Sequence, residues 1–401
     1  MYCTQNISEN IIWIGGSDRR IALFENMFPL DNGVMYNSYL ILDKKTVIID
    51  TVDRAITAQF FENIEHTLDG RTLDYLIINH MEPDHCANIE ELVRRYPNVK
   101  LVGNKKTFKF IEQFYNFDVK DNYYEVKEGD ELVVGEHTLR FYMAPMVHWP
   151  ETMMTYEVSK GILFSADAFG SFGGFNGNLF ADEINFDRDG LDEARRYYCN
   201  IVGKYGTQVQ AVIKKVSELK INMICPLHGL LWRENIAYLL EKYNLWSKYI
   251  PEENGVVLFY ASMYGNTENA MHVIANKLAC KGIRNLRLYD ISKTNASYII
   301  AEVFKYSHFV VAGVTYNNEL YHPLAMLLSE LAMLGIKNRK VSIVSNGSWA
   351  AQAGKRITEK LSNMKDIEIL GGELEIMSAL KNEQMERLDE IVETLVKSLN
   401  S

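Results

Sequence analysis

Asn79-His80-Met81-Glu82-Pro83-Asp84-His85 places four potential metal ligands within six residues, directly after the apolar run Tyr75-Leu76-Ile77-Ile78-Asn79. The run has the length and β-branched character of a buried strand. The ligand-rich stretch therefore sits where a strand opens into a loop and then a helix. Gathering two imidazoles and two carboxylates in one loop is costly unless a cation compensates them. A solvated loop is the bland alternative, but structure alone rarely calls for such density.

Working outward, three further residues share that placement. Asp167 follows the apolar run Gly161 to Ser165 and leads into the glycine-rich loop Phe169 to Gly174. His228, in Cys225-Pro226-Leu227-His228-Gly229, follows Ile221 to Ile224, and His148 lies between two strand-like runs in Met146-Val147-His148-Trp149-Pro150. Taken singly, each is more often a satisfied polar residue than a ligand. Together they form a set of strand-end ligands.

Strand-like runs dominate the chain as far as about residue 250: Ile11 to Ile14, Ser38 to Leu42, Thr46 to Asp50, Tyr75 to Asn79, Leu132 to Val134, Thr138 to Ala144, Met153 to Val158 and Gly161 to Ser165. Helical segments at Arg54 to Leu68 and Asn88 to Tyr96 interleave with them, which predicts a sandwich of sheets with helices outside. Pro251-Glu252-Glu253-Asn254-Gly255 interrupts helix and strand alike and is expected to be a linker. Beyond it the texture becomes strict strand–helix alternation: Val256 to Tyr260, a helix from about Thr267 capped near Gly282, then strands at Phe309 to Gly313, Val341 to Ser345 and Ile367 to Leu370. That alternation predicts a doubly wound parallel sheet over 255–401, preceded by a separate domain over 1–250.

Ser262-Met263-Tyr264-Gly265-Asn266-Thr267 joins the first strand and helix of the second domain. Hydroxyls and backbone N–H groups at a helix N-terminus suit a phosphate monoester, and no P-loop lysine is present. Two more loops follow neighbouring strands: Thr315-Tyr316-Asn317-Asn318 and Ser345-Asn346-Gly347-Ser348-Trp349. Tyr316 or Trp349 is a candidate to stack on a planar ring; core packing is the plainer role for either. No GxGxxG fingerprint follows a strand, so no nicotinamide site is predicted.

His80-x-Glu82-x-Asp84-His85, His148, Asp167 and His228 together resemble the metallo-β-lactamase superfamily in order and spacing, with Glu82 where hydrolases of that group carry a second histidine. With the flavodoxin-like tail, the whole chain resembles the flavodiiron proteins, also called A-type flavoproteins. The resemblance implies an αββα metallo-β-lactamase-like sandwich followed by a flavodoxin-like domain. It implies a non-haem diiron site, with His80, Glu82 and His148 on one iron, Asp84, His85 and His228 on the other and Asp167 bridging. His85 is the ligand at which family members vary. It also implies FMN in the three loops of the second domain, and reduction of dioxygen to water, of nitric oxide to nitrous oxide, or both. Three carboxylates among seven ligands favour iron over zinc on chemical grounds as well. A dizinc hydrolase with a regulatory flavodoxin-like tail is the rival, and an FMN electron carrier on a degenerate sandwich is another; Glu82 opposes the first and the complete ligand set the second.

The resemblance further implies a head-to-tail homodimer or tetramer. No rubredoxin-like cysteine pair follows the flavin domain, so an external donor is expected: a rubredoxin-like carrier, a reductase or reduced deazaflavin. A net charge of -10 over 401 residues argues against nucleic acid as a partner. No apolar run approaches the roughly 20 residues of a membrane span, and Met1 to Asn10 lacks the features of a signal peptide. Five scattered cysteines, none in a Cys-x-x-Cys pair, predict reduced thiols in a cytoplasmic protein. Tyr197 and Tyr198 are expected in the core, with a role as proton donors the alternative.

Overall fold

The computed structural model describes residues 1–401 and divides into two compact units, Met1–Asn244 and Leu245–Ser401. The first unit contains a seven-stranded sheet ordered Gln5–Ser8, Ile11–Trp13, Tyr39–Leu42, Thr46–Ile49, Tyr75–Ile77, Lys100–Gly103, Tyr123–Glu125. Its first four strands run antiparallel, and pairing becomes parallel from Thr46–Ile49 onward. Parallel pairing needs crossovers, and the helices Thr57–Leu68 and Lys105–Phe114 provide two of them. The second sheet is ordered Glu131–Val133, Thr138–Met143, Met153–Glu157, Ile162–Phe164, Met223–Cys225, and only its last pair is parallel.

The alternating residues Tyr39 and Ile41, Val47 and Ile49 share one buried cluster with Leu139, Phe141, Ile162 and Phe164 of the other sheet. The period-2 geometry of strands aims these side chains at the opposite sheet and leaves Leu40 and Ile48 for the outer layer. Helix Thr57–Leu68 buries Phe60, Phe61, Ile64 and Leu68 along one stripe and ends in a left-handed Asp69 followed by Gly70 at φ +83°. The unit is thus the αββα sandwich implied by the sequence.

In the second unit five parallel strands are ordered Leu286–Asp290, Glu253–Tyr260, Tyr306–Tyr316, Arg339–Gly347, Ile367–Met377. This is the 2-1-3-4-5 order of flavodoxin-like sheets, which bind ligands at the strand carboxyl ends where the order reverses. Helices Asn266–Cys280 and Met385–Leu399 pack together over Val256, Leu258 and Tyr260. The first strand starts earlier than its apolar run: Glu253 already pairs with Tyr306, and the register slips before Val256. Gly255 allows this close pairing, because a Cβ there would collide with the Tyr306 ring. No helix is long and apolar enough to cross a membrane.

Candidate functional site

Three of the seven candidate metal ligands occupy equivalent positions. His80, Asp167 and His228 are each the third residue beyond a strand, those strands being Tyr75–Ile77, Ile162–Phe164 and Met223–Cys225. The parallel pairing of the last two strands brings Asp167 and His228 side by side, and the facing sheet delivers Glu82, Asp84 and His85 from the turn around the short helix Pro83–Cys86. The seven side chains form two buried groups: His80, Glu82, His148 and Asp167, and Asp84, His85 and His228, with the ligand atoms of each group within 4.8 Å of one another.

Asp167 faces both groups. Its Oδ2 lies 3.0 Å from His148 Nε2 and 3.4 Å from His80 Nε2, while Oδ1 lies 3.2 Å from His85 Nε2 and 3.8 Å from His228 Nε2. Glu82 Oε2 is 2.9 Å from His148 Nε2 and 3.3 Å from His80 Nε2. Asp84 Oδ2 is 3.2 Å from His228 Nε2 and 3.5 Å from His85 Nε2.

On His80, Glu82, His148, Asp167 and His228 burial opposes charge, yet their charges sustain one another. Burial works against the His148 imidazolium, but hydrogen bonds to Asp167 and Glu82 outweigh it and push the pKa up to about 9. The same competition raises His80, through Asp167, and holds Asp167 far below the ordinary carboxylate range, through His80 and His85. Glu82 is lowered against its own burial by hydrogen bonds with His148 and His80.

Both oxygens of Asp84 and Oδ1 of Asp167 are buried without a hydrogen-bond partner, and His85 Nε2 and His228 Nε2 point at each other across 2.9 Å. A neutral imidazole has one donor and one acceptor nitrogen, so orphaned carboxylate oxygens and converging ring nitrogens fit a pair of cations. Three carboxylates among seven donors match a hard, redox-active metal better than a nitrogen- and sulfur-bound zinc.

Residues outside the motifs hold this cage. Buried Asp50 accepts the N–H groups of Asn79 at 2.7 Å and His80 at 3.1 Å; burial pushes its carboxyl up to about 7 despite His85 nearby. Glu151 Oε1 accepts from His80 Nδ1 at 2.8 Å and Met81 N–H at 2.9 Å, and Met35 O accepts from His228 Nδ1 at 2.8 Å. Asn37 donates to Pro226 O and Gly229 O, both at 2.9 Å, and accepts from Trp13 Nε1 at 2.8 Å. None of these carried a sequence signal, since a lone Asn, Glu or Asp reads like any other polar residue. Tyr197 is fully buried with its hydroxyl unpartnered and its ring 5.5 Å from His228, whereas Tyr198 packs on Tyr243.

In the second unit a pocket is lined by Ser262, Met263, Tyr264, Asn266 and Thr267 of the first loop, by Thr315, and by Asn346, Gly347, Ser348 and Trp349 of the third loop. Gly265 adopts φ +87° and heads helix Asn266–Cys280 with no side-chain cap, which leaves first-turn N–H groups for an anion. Ser262 Oγ accepts the Gly265 N–H at 3.1 Å, and Asn346 donates to Thr267 Oγ1 at 3.2 Å. Tyr264 and Trp349 are 91% and 84% exposed, enough free ring to stack on a planar ligand. Tyr316, Asn317 and Asn318 do not line the pocket: the strand runs through Tyr316 into a hairpin with Glu319–Leu320, turning on Asn317 and Asn318 at φ +51° and +62°. Ser345 is buried outside the lining and donates a hydrogen bond to Glu373. Val314, Ala350 and Ser378 join the lining without having been read from sequence.

A family model described as ODP family beta lactamase matches residues 34–229. An anaerobic nitric oxide reductase flavorubredoxin of Vibrio vulnificus is 32% identical over 370 residues, 90% of this chain and 73% of that protein. The chain belongs to the flavodiiron protein family. It is an oxidoreductase. The flavodiiron fold extends over its whole length: rubredoxin oxygen:oxidoreductase of the anaerobe Desulfovibrio gigas superposes with a TM-score of 0.91 at 25% identity, covering 99% of both chains. A flavodiiron protein mutant from Thermotoga maritima gives 0.90 at 26% identity, covering 99% of this chain and 98% of the other.

Proposed function

We propose that this flavodiiron protein holds two iron ions in its N-terminal unit and FMN in its C-terminal unit, and reduces dioxygen, nitric oxide or both. His80, Glu82 and His148 would hold one iron, Asp84, His85 and His228 the other, with Asp167 between them. The observation that carries this reading is Asp167, whose two buried oxygens each face one ligand group. Bound there, the iron pair supplies redox chemistry on a diatomic gas and FMN supplies the electrons.

The chain's own residues set the conditions. His228 is walled by Phe24, Tyr36 and Tyr197, whose rings lie 5.3, 5.7 and 5.5 Å away, so water is excluded on that side. Tyr197 keeps its proton, burial and nearby Asp167 raising its hydroxyl well above the ordinary range, and its buried O–H has no partner within the chain. In the other unit, the Gly265 turn and the hydroxyls of Ser262 and Thr267 would cradle the FMN phosphate.

Electrons would reach the flavin from a rubredoxin-like carrier, a reductase or a reduced deazaflavin. A second copy in head-to-tail arrangement would cover the exposed Met263, Tyr264 and Trp349 around the flavin pocket. The cytoplasm, where Cys3, Cys86, Cys199, Cys225 and Cys280 stay free, suits the chain. The test is an anaerobic assay of the chemically reduced protein against each gas, with metals and flavin counted. Two irons and one FMN per chain with gas consumption are expected; zinc without iron, accompanied by ester, lactam or phosphodiester hydrolysis, would overturn the proposal.

A further inference from the structure

All four candidate histidine ligands turn Nε2 toward the carboxylates of the cage, but what meets the other ring nitrogen differs. His80 Nδ1 meets the Glu151 carboxylate at 2.8 Å. His228 Nδ1 meets a neutral acceptor, Met35 O, at 2.8 Å, and His85 Nδ1 is buried with no hydrogen-bond partner. No carboxylate outside the ligand set lies within ion-pair distance of His85, His148 or His228.

Glu151 is itself 1% exposed and pairs with no lysine or arginine. Its position is fixed from two directions, by Met81 N–H on Oε1 and by Asn104 Nδ2, which donates to its backbone carbonyl at 2.6 Å. A buried carboxylate with no basic side chain must draw its compensation from the imidazole it holds and from whatever cation that imidazole binds. A carboxylate on the far nitrogen fixes the tautomer that leaves Nε2 free, and it makes that nitrogen a stronger donor to a metal; a carbonyl fixes the tautomer without adding charge.

Resting on the ligand assignment above, we infer that Glu151 is a positioning residue that makes the two metal positions unequal. The position formed by His80, Glu82 and His148 grips its metal more tightly and favours the higher oxidation state. The position formed by Asp84, His85 and His228 is the one that gives up its metal first.

The experiment follows iron release from the reduced, iron-loaded protein into an excess of a bipyridyl-type chelator, in wild type and Glu151→Gln. The glutamine has the same shape, and its oxygen can still accept from His80 and Met81, so the variant removes charge while keeping the fold. Wild-type iron is expected to leave in two phases of one equivalent each. In Glu151→Gln the slow phase accelerates about 10–100-fold, the range for loss of an outer-shell partner, and the fast phase is unchanged. An electron-paramagnetic-resonance redox titration is expected to place the mixed-valent signal at higher potential in the variant. Glu157→Gln, which alters a buried carboxylate beside His137 at the far end of strand Met153–Glu157, is the control and should move neither reading. Single-phase release from wild type, a slow phase unmoved in Glu151→Gln, or the same changes in Glu157→Gln would each overturn the inference while leaving two irons per chain in place. A wild-type chain with no iron pair would instead overturn the ligand assignment beneath it.

Discussion

Asn37→Ala tests how the His228 loop is held. Asn37 is fully buried, and its amide ties Pro226 O, Gly229 O and Trp13 Nε1 together. Removing the amide orphans Gly229 O and the Trp13 N–H in a dry interior, while Pro226 O keeps the Tyr39 hydroxyl at 2.7 Å. Two orphaned groups at about 1–3 kcal/mol each give a loss of about 2–6 kcal/mol. Taking about 3 kcal/mol, and about 2–4 °C per kcal/mol for a domain of roughly this size, the N-terminal unit should melt about 6–12 °C lower in a calorimetric scan. Iron per chain should fall with it, because Gly229 adjoins His228, while FMN per chain stays constant. Asn37→Asp separates hydrogen bonding from shape: it is isosteric, but it sets an acceptor against two carbonyls, so it should be at least as damaging as alanine. A melting shift under about 2 °C with iron retained, or a benign aspartate, would refute the idea that this amide positions the loop.

Glu82→Ala should strip iron and gas turnover by more than the ~10–100-fold that loss of an outer partner costs, with FMN unchanged; retained turnover would count against the ligand assignment. Gly265→Val forces a β-branched residue into a left-handed position that costs an L residue about 1–2 kcal/mol, so flavin should bind roughly tenfold more weakly in a fluorescence titration with iron unaffected. The buried pair His137–Glu157, 3.0 Å apart, makes stability depend on pH. His137 is raised by its hydrogen bond to Glu157, so its contribution is lost as pH rises through the elevated imidazole value; Glu157 is lowered against burial by His137 and Ser159, so its contribution is lost as pH falls below the usual carboxylate range. His137→Gln should flatten both limbs of the denaturation midpoint plotted against pH, and an unaltered profile would show that the pair contributes nothing.

The ligand-rich loop was legible because its four donors fall within six consecutive residues just after a strand, a pattern that needs no tertiary information. The strand–helix alternation after residue 255 was legible for the same local reason. What escaped were contacts that only folding creates: Asn37 reaches residues about 190 positions away, and Glu151 reaches His80 across 71. The turn at Tyr316–Asn318 carried a local signal of its own. Paired asparagines tolerate positive φ and close a two-residue hairpin after Tyr316. The linker was blurred at Gly255 because a glycine that ends a strand and one that admits a close neighbour look identical in sequence.

Each ligand group draws on both sheets of the sandwich. His80, Glu82, Asp84 and His85 follow a strand of the seven-stranded sheet, whereas His148, Asp167 and His228 belong to the five-stranded one. A cation held by either group therefore ties one sheet to the other, and its binding energy adds to that of the fold. The same arrangement sets carboxylates from opposite sheets against each other, Glu82 facing Asp167 through the shared nitrogen of His148. The apolar layer beneath, from Trp13 and Tyr39 across to Phe141 and Phe164, holds the sheets together against that repulsion without help from the ligands. A site this acidic is tolerable because the core below it is continuous and because Asp50, Glu151, Met35 and Asn37 fix the ligands before any metal arrives. Cage and core thus act on the same pair of sheets, and substitutions in either should be read in metal content as well as in melting temperature.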